Sequence, residues 1–402
     1  MYKQLRIKFK NKLLENQLKR KRKYFDFSSI ERSKNLIFIV DSILPEFDKD
    51  SGSRRLYNII KLMVKQGYEV VLMSNKKAYK YDATYAPHYR DLGVIVYEPA
   101  LDQDSKLIDN IGFVKIVSQY TKYAWLHRPD IFKKYNRFFD RKSTKLIFDM
   151  VDFHYLRLDR EWQRYKNLKA KAMADQFLEM ELDNCSKADC IVAISEADKK
   201  ELHHHFKAKE KISVLSNIHQ FKYHKGLPPN QRKDLLFVGG FDHTPNRDAV
   251  AYLYKEIMPA LWTIYPNLSI TIVGSNPTSE VLALNDSRFS VLGYVEDLEP
   301  LFESARLFVA PLRYGAGVKG KIGQSLEYGL PVVTTSIGAE GFDFSSIKNV
   351  TLTDDTQQFV DFVSALISDD ELWTTVHQAS EQILNPFSIT TTEKNLLKIL
   401  ES

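Results

Sequence analysis

Two short stretches of this chain put cations where helix physics disfavours them. Asp50-Ser51-Gly52-Ser53-Arg54-Arg55 and Arg313-Tyr314-Gly315-Ala316-Gly317-Val318-Lys319-Gly320-Lys321 each read as a strand-to-helix turn. A helix N-terminus carries partial positive charge, so its first turn normally takes Asp or Glu. Glycines let backbone amides close around a ligand, and neighbouring cations then supply countercharge to phosphate. One such loop is a weak signal. One in each half of the chain points to an anionic ligand held in a cleft between the halves. The competing reading is loop cations reaching out to water. A second constellation, Asp152, His154 and Arg157, follows a strand expected at Lys145–Val151. A histidine there can donate to a hydroxyl and titrates near neutral pH, and Asp152 can hold it or orient an acceptor. A purely structural His154 stays open, and His127, at the end of another strand, reads as a backbone partner.

The elements that must position these residues alternate β and α and reset once, the pattern of two doubly wound α/β halves. A chain of 402 residues is also too long for one core. The first half opens with strand Asn35–Val40 and a helix from Ser53 to Gln66 that carries Leu56, Ile59, Ile60 and Met63 on one face. Further strands are expected at Tyr68–Ser74, Val94–Glu98, Tyr123–His127, Lys145–Val151 and Cys190–Ile194. The second half repeats the logic around Leu235–Val238, Leu268–Val273, Phe289–Leu292, Leu307–Ala310 and Pro331–Thr335. Strand Ile212–Leu215 and the loop Gly226–Gln231 are assigned to this half. The expected divisions are a basic extension 1–33, a first Rossmann-like domain 34–208, a second 209–385, and a C-terminal helix 386–402 returning to the first. Ligands of such sheets bind at the carboxyl ends of the strands, where all the loops above lie.

The net charge of +6 is concentrated: residues 1–23 hold ten Lys or Arg against Glu15 alone, so this segment is +9 and the remainder −3. A mildly acidic body argues against a nucleic-acid-binding surface, whereas a basic segment suits an anionic membrane or is simply solvated. Its apolar residues leave strand (Leu5, Ile7, Phe9) and helix (Leu14, Leu18) both open. Two cysteines, Cys185 and Cys190, give neither a disulfide framework nor a zinc site. With no spanning run and no signal-peptide pattern, a cytoplasmic protein is expected. No G-x-G-x-x-G follows the first strand, which disfavours a dinucleotide dehydrogenase. His203, His204 and His205 are consecutive and cannot share one helix face. Ser195 with Asp198 reads as a helix cap. Asn217, after a strand, is either a turn residue or a phosphate contact.

The stretches Val238-Gly239-Gly240 through Pro245-Asn246, Gly315 to Lys321, and Gly329-Leu330-Pro331-Val332-Val333-Thr334-Thr335 through Gly341 resemble the donor domain of glycosyltransferase family 4 (glycosyl transferases group 1). The first half is similar through Asp50 to Arg55, His127-Arg128-Pro129 and Phe148 to Arg157. The resemblance implies a GT-B fold and sugar transfer from a nucleotide diphosphate with retention of configuration and without a metal or other cofactor. It implies a glycan or lipid-linked acceptor, and a donor site of Gly52, Ser53, Arg54, Gly240, Asn246, Gly315, Gly317, Lys319, Lys321 and Gln324. It also implies that a polar residue near Asp152, His154 and Arg157 touches the transferred sugar. The chain departs from the pattern where Ala316 and Gln324 stand at two glutamate positions, and where Phe241 and His243 replace an arginine after the first glycine pair. Lys319, Lys321 and Arg54 are then expected to carry the phosphates. A non-catalytic subunit on the same fold, or an epimerase or phosphorylase, is the alternative. Asp102-Gln103-Asp104 has the spacing of a metal-binding motif, but without supporting context it reads as a surface loop.

Overall fold

The computed structural model describes residues 2–222 and 227–401; Gly226 of the expected loop lies outside them. The strands in chain order are β1 (Leu36–Asp41), β2 (Glu69–Ser74), β3 (Ile95–Val96), β4 (Ala100–Leu101), β5 (Leu107–Ile108), β6 (Tyr123–His127), β7 (Lys145–Asp149), β8 (Cys190–Ala193), β9 (Ile212–Val214), β10 (Lys233–Val238), β11 (Ile270–Val273), β12 (Phe289–Gly293), β13 (Ala305–Ala310) and β14 (Val332–Thr334). They form two parallel sheets, β3-β2-β1-β6-β7-β8-β9 and β12-β11-β10-β13-β14, and the small antiparallel hairpin β4-β5. Helices cover both faces of each sheet, which is why β1 is apolar and buried at every position up to Asp41. In each sheet the order reverses beside the first strand, between β1 and β6 and between β10 and β13. These switch points are where a doubly wound sheet opens a crevice.

Helix Ser51–Lys65 starts where Asp50 accepts the Ser53 N–H, and it buries Leu56, Ile59, Ile60 and Met63 against the first sheet. The C-terminal helix Ile389–Glu401 packs on the same face of that sheet through Leu396, Ile399 and Leu400, although the second domain precedes it in sequence. In the second sheet the β10 and β11 ends pass so closely that a Cβ on Gly274 would stand 2.0 Å from the Gly239 oxygen, so only glycine fits.

The expected division near residue 208 is corrected. β9 pairs in parallel with β8, Ile191 against Ile212, and closes the edge of the first sheet. The crossing therefore falls between Leu215 and Lys233. A short apolar strand reads the same whichever sheet it joins, so only the pairing decides. The basic extension is a helix, Tyr2–Lys21, laid against the β4-β5 hairpin and anchored by the buried Leu18. Asp102 accepts the Lys106 N–H at 2.8 Å within the hairpin turn, a turn-forming contact.

Candidate functional site

The two domains meet across polar contacts at the carboxyl ends of both sheets. Arg160, on helix His154–Tyr165, reaches the Gly315 carbonyl at 2.7 Å and pairs with Glu340 at 2.6 Å. Tyr165 bonds Asp248, which also holds Arg313. Arg54 meets Glu327 at 3.1 Å. Between them lies a cavity of about 240 Å³ whose lining includes Ser51, Arg54, Asn217, Lys321, Gln324 and Glu327.

Helix Gly320–Glu327 points its N-terminus into this cavity, and Gly320 is packed so tightly on Ser51 that a Cβ there would sit 2.2 Å from the serine Oγ. The orphan amides of that turn have no side-chain cap, which leaves them for an anion. Lys321 reaches only a neutral acceptor among the described contacts, the Gln324 amide oxygen at 2.9 Å. Burial, reinforced by the charge of Arg54, pushes its ammonium down to about 8. Asn217 is buried, and both polar atoms of its amide lack a partner among the described residues. A buried amide with neither end satisfied is costly, and a ligand in the cavity would relieve it.

The other cations expected at phosphate are differently placed. Lys319 donates to the Gly317 carbonyl at 2.7 Å and to Glu340 at 3.2 Å, and burial holds its pKa down although Glu340 opposes this. Arg54 spends its guanidinium on both oxygens of Glu327. Glu327 stays ionised because His219, at 2.8 Å, and Arg54 outweigh the burial that would protonate it. Arg55 is wholly buried, pairing with Asp149 at 2.8 Å and with the Leu215 carbonyl. Arg313 pairs with Asp248 at 2.5 Å.

Several expected donor contacts are parts of the turns themselves. Ser53 donates to Asp50 through its N–H and, at 2.6 Å, through its hydroxyl, so its side chain is committed to the Asp50 cap. Asn246 donates to the Gly240 carbonyl at 2.7 Å and underlies Gly239, which pins the β10 turn. Gly52 stands beside Val151 and Arg128. Gly315 and Gly317 take φ of 144° and 71°, and Gly317 abuts Asp152 of the other domain.

Asp152, His154 and Arg157 are brought together. His154 Nδ1 lies 3.0 Å from Asp152 Oδ1 and 3.4 Å from Glu181, and its ring stacks on Phe177. Arg157 Nε lies 3.2 Å from Asp152 Oδ2. Burial works against charge on both partners, yet His154 and Arg157 carry Asp152 below its ordinary range, and Asp152 with Glu181 carries His154 above its own. His243 sits close enough to feel both Asp152 and Arg157; burial and Arg157 together favour its neutral form. Two strained residues flank the group: Val151, with φ 69°, and Arg128, with φ 87°, at the ends of β7 and β6. A β-branched residue there is held by its surroundings, a pattern that clusters at functional sites.

Sequence reasoning missed Glu181, which accepts the backbone N–H of His154 at 3.0 Å and of Tyr155 at 3.2 Å and so caps their helix from another helix. Burial raises its pKa. It also missed an ionic group under the first switch point. There His127 Nδ1 lies 3.0 Å from Asp41 and its Nε2 3.8 Å from Asp149, more than the backbone partner expected of it. Arg128 reaches Asp41 at 2.9 Å; His127 and Arg128 overcome burial and bring Asp41 down to about 2. Nothing in local spacing marks these partners, which lie on separate strands.

Two sheets with facing switch points and a C-terminal helix returned to the first domain define the class: this is the GT-B glycosyltransferase fold. Residues 232–369 match the model of the family Glycosyl transferases group 1. TarM superposes with a TM-score of 0.70 at 12% identity, covering 92% of this chain and 99% of that one. HepE from Anabaena, solved with UDP-glucose, gives 0.66 at 12% identity over 91% and 99%. Sucrose-phosphate synthase from Thermosynechococcus elongatus gives 0.66 at 12% over 92% and 98%. An uncharacterized 44.6 kDa protein in the cps region of Klebsiella pneumoniae is 27% identical over 156 residues, which is 37% of this chain and 40% of that protein's length.

Proposed function

We propose that the protein transfers a sugar, with retention, from a nucleotide diphosphate onto a glycan or lipid-linked acceptor in surface polysaccharide synthesis (capsule, O-antigen or lipopolysaccharide). One observation carries this: among the described residues, the interdomain cavity presents a helix N-terminus, a cation with no carboxylate within ion-pair distance (Lys321) and an unsatisfied amide (Asn217) side by side. That set matches a diphosphate leaving group, whose developing charge fixed donors stabilise without reorganisation. Lys321 and the helix amides can do so in place of a metal ion. Gln324 can exchange hydrogen bonds with ribose hydroxyls. His154, braced by Asp152 and Glu181, can donate to a hydroxyl of the transferred sugar, with Arg157 holding Asp152 ionised. The family resemblance supports retention, the cps-region relative supports surface polysaccharide, and the basic segment 1–23 suits work at the cytoplasmic face of the cell membrane. HepE's complex with UDP-glucose makes that donor the first to try.

The test is release of nucleotide from a panel of nucleotide sugars in the presence of glycan and lipid-linked acceptors and EDTA. Wild-type protein turns over at least one donor, and Lys321→Ala does not. Turnover that vanishes with EDTA and returns with Mg²⁺ would reject the metal-independent part; equal turnover by Lys321→Ala would reject the site. A non-catalytic subunit is the second reading, favoured by Ala316 and Gln324 and by the carboxylates already paired with Arg54 and Lys319. Calorimetric titration showing no binding of any nucleotide sugar would select it.

A further inference from the structure

We infer that helix Tyr2–Lys21 seats the enzyme on an anionic lipid surface through an apolar stripe flanked by basic residues. This names a contact surface for the membrane-side location proposed above and rests on that reading only for location, since vesicle binding is measured without sugar transfer.

The argument starts from helix geometry. At about 100° per residue, positions four apart lie on one face. Leu5, Phe9 and Leu13 follow that spacing and are 58%, 65% and 49% exposed. The opposite face is the docked one: Ile7 and Leu14 are half-buried and Leu18 is buried against the domain. Glu15, the sole acid of the segment, turns towards the domain, accepting Lys12 at 2.7 Å, Lys19 at 2.9 Å and the Leu107 N–H at 3.3 Å. The helix thus has two apolar stripes on opposite sides, one used by the fold and one left bare. Such spacing is unexpected for a helix merely solvated on its outer face, where polar residues cover the stripe.

What covers the bare stripe is set by its borders. On the same projection Lys8 and Lys12 run along one side and Arg6 and Lys10 along the other; Arg6 and Lys8 are exposed, while Lys12 also meets Glu15 and Lys10 lies over the Tyr79 ring at 5.0 Å. Long basic side chains on both flanks of an apolar stripe can reach up to anionic headgroups while the stripe enters the acyl boundary. Each adds electrostatic attraction to an anionic leaflet, and the segment as a whole carries +9. A second copy seated on the stripe would bring identical positive borders together, which disfavours self-association. No helix of the described residues is long and apolar enough to cross a membrane, so the contact is peripheral.

The experiment uses full-length protein and sedimentation with vesicles of phosphatidylglycerol and phosphatidylethanolamine, compared with vesicles of phosphatidylcholine alone. Wild-type protein is expected to partition at least tenfold more strongly onto the anionic vesicles, and less so as salt rises. The triple variant Leu5→Ser, Phe9→Ser, Leu13→Ser is expected to lose at least tenfold, while its melting temperature and its transfer to a soluble acceptor stay unchanged. A charge variant, Arg6→Glu with Lys8→Glu, is expected to lose binding as well. Equal binding to both vesicle types, undiminished binding by the triple variant, or a wild-type dimer that the triple variant dissolves would each overturn the inference.

Discussion

The two glycine turns that read alike in sequence are put to opposite uses. In the first, Arg55 turns inward to Asp149 and Arg54 crosses to Glu327, so both cations are answered by carboxylates. In the second, Arg313 and Lys319 are answered by Asp248 and Glu340, but Lys321, which lines the cavity, bonds only the Gln324 amide oxygen among the described residues and feels Glu327 and Asp50 at longer range. A cation at a helix start is therefore not in itself a phosphate site. A carboxylate partner, or its absence among the described residues, separates a structural cation from a ligand group, because a buried charge without a partner is left uncompensated and an anionic ligand can supply what the protein does not.

The contrast can be broken first at Arg55. Replacing Asp149 by Ala strands that guanidinium in the core and removes the acceptor of Trp125 Nε1, at 2.9 Å. The expected loss is about 3–5 kcal/mol of stability, read from the urea midpoint. A shift under about 1 kcal/mol would mean that the pair is not structural. At Lys321 the effect should instead be kinetic. Lys321→Ala is expected to lower kcat by about 10²–10³, the range for removing one fixed donor to a developing anion, with an unchanged unfolding curve. Equal losses in stability and rate would erase the distinction between the two turns.

A finer test uses pH. With burial pushing its pKa down to about 8, Lys321 is charged below that value, and a bound diphosphate must raise its pKa. Affinity for a nucleotide sugar is then fully present below pH 8 and weakens above it, by at most about tenfold per pH unit. Over the same window the unfolded chain, whose lysine still holds its proton, binds more protons than the folded one. The ligand-free protein therefore gains stability as pH rises from 8 towards 10.5. Opposite slopes for binding and stability are the signature, and Lys321→Arg, charged throughout, should flatten both. Parallel slopes in calorimetry and thermal melts would assign the titration elsewhere. The smallest effect is expected at Glu327→Gln, which frees Arg54 towards the cavity and should tighten donor binding about two- to fivefold, the worth of a partly exposed pair. Weaker binding would show that Glu327 positions Arg54 for the ligand instead of competing with it.

Much of the architecture was legible in sequence because parallel strands buried on both faces are written as continuous apolar runs between glycine turns. Tyr123–His127 coincides with its expected span, and Lys145–Val151 ends two residues early. Val94–Glu98 shrinks to two paired residues at the sheet edge, where a single neighbour supports pairing. Within the site, local chemistry was legible and partnership was not. Asp152, His154 and Arg157 lie within six positions and could be grouped by eye, whereas Glu181 arrives from the following helix and Glu340 from the other domain.

The sequence by itself determined the alternation of strands and helices, the glycine turns, and the concentration of positive charge in the first 23 residues. These are properties of neighbours along the chain, set by propensity, periodicity and composition. Tertiary structure alone decided that β9 belongs to the first sheet, that among the described residues four of the five turn cations pair with carboxylates while Lys321 does not, and that one stripe of the first helix is docked and the other bare. Those outcomes depend on which distant groups arrive within a few ångströms, and both Coulomb attraction and burial act through space without regard to separation along the chain.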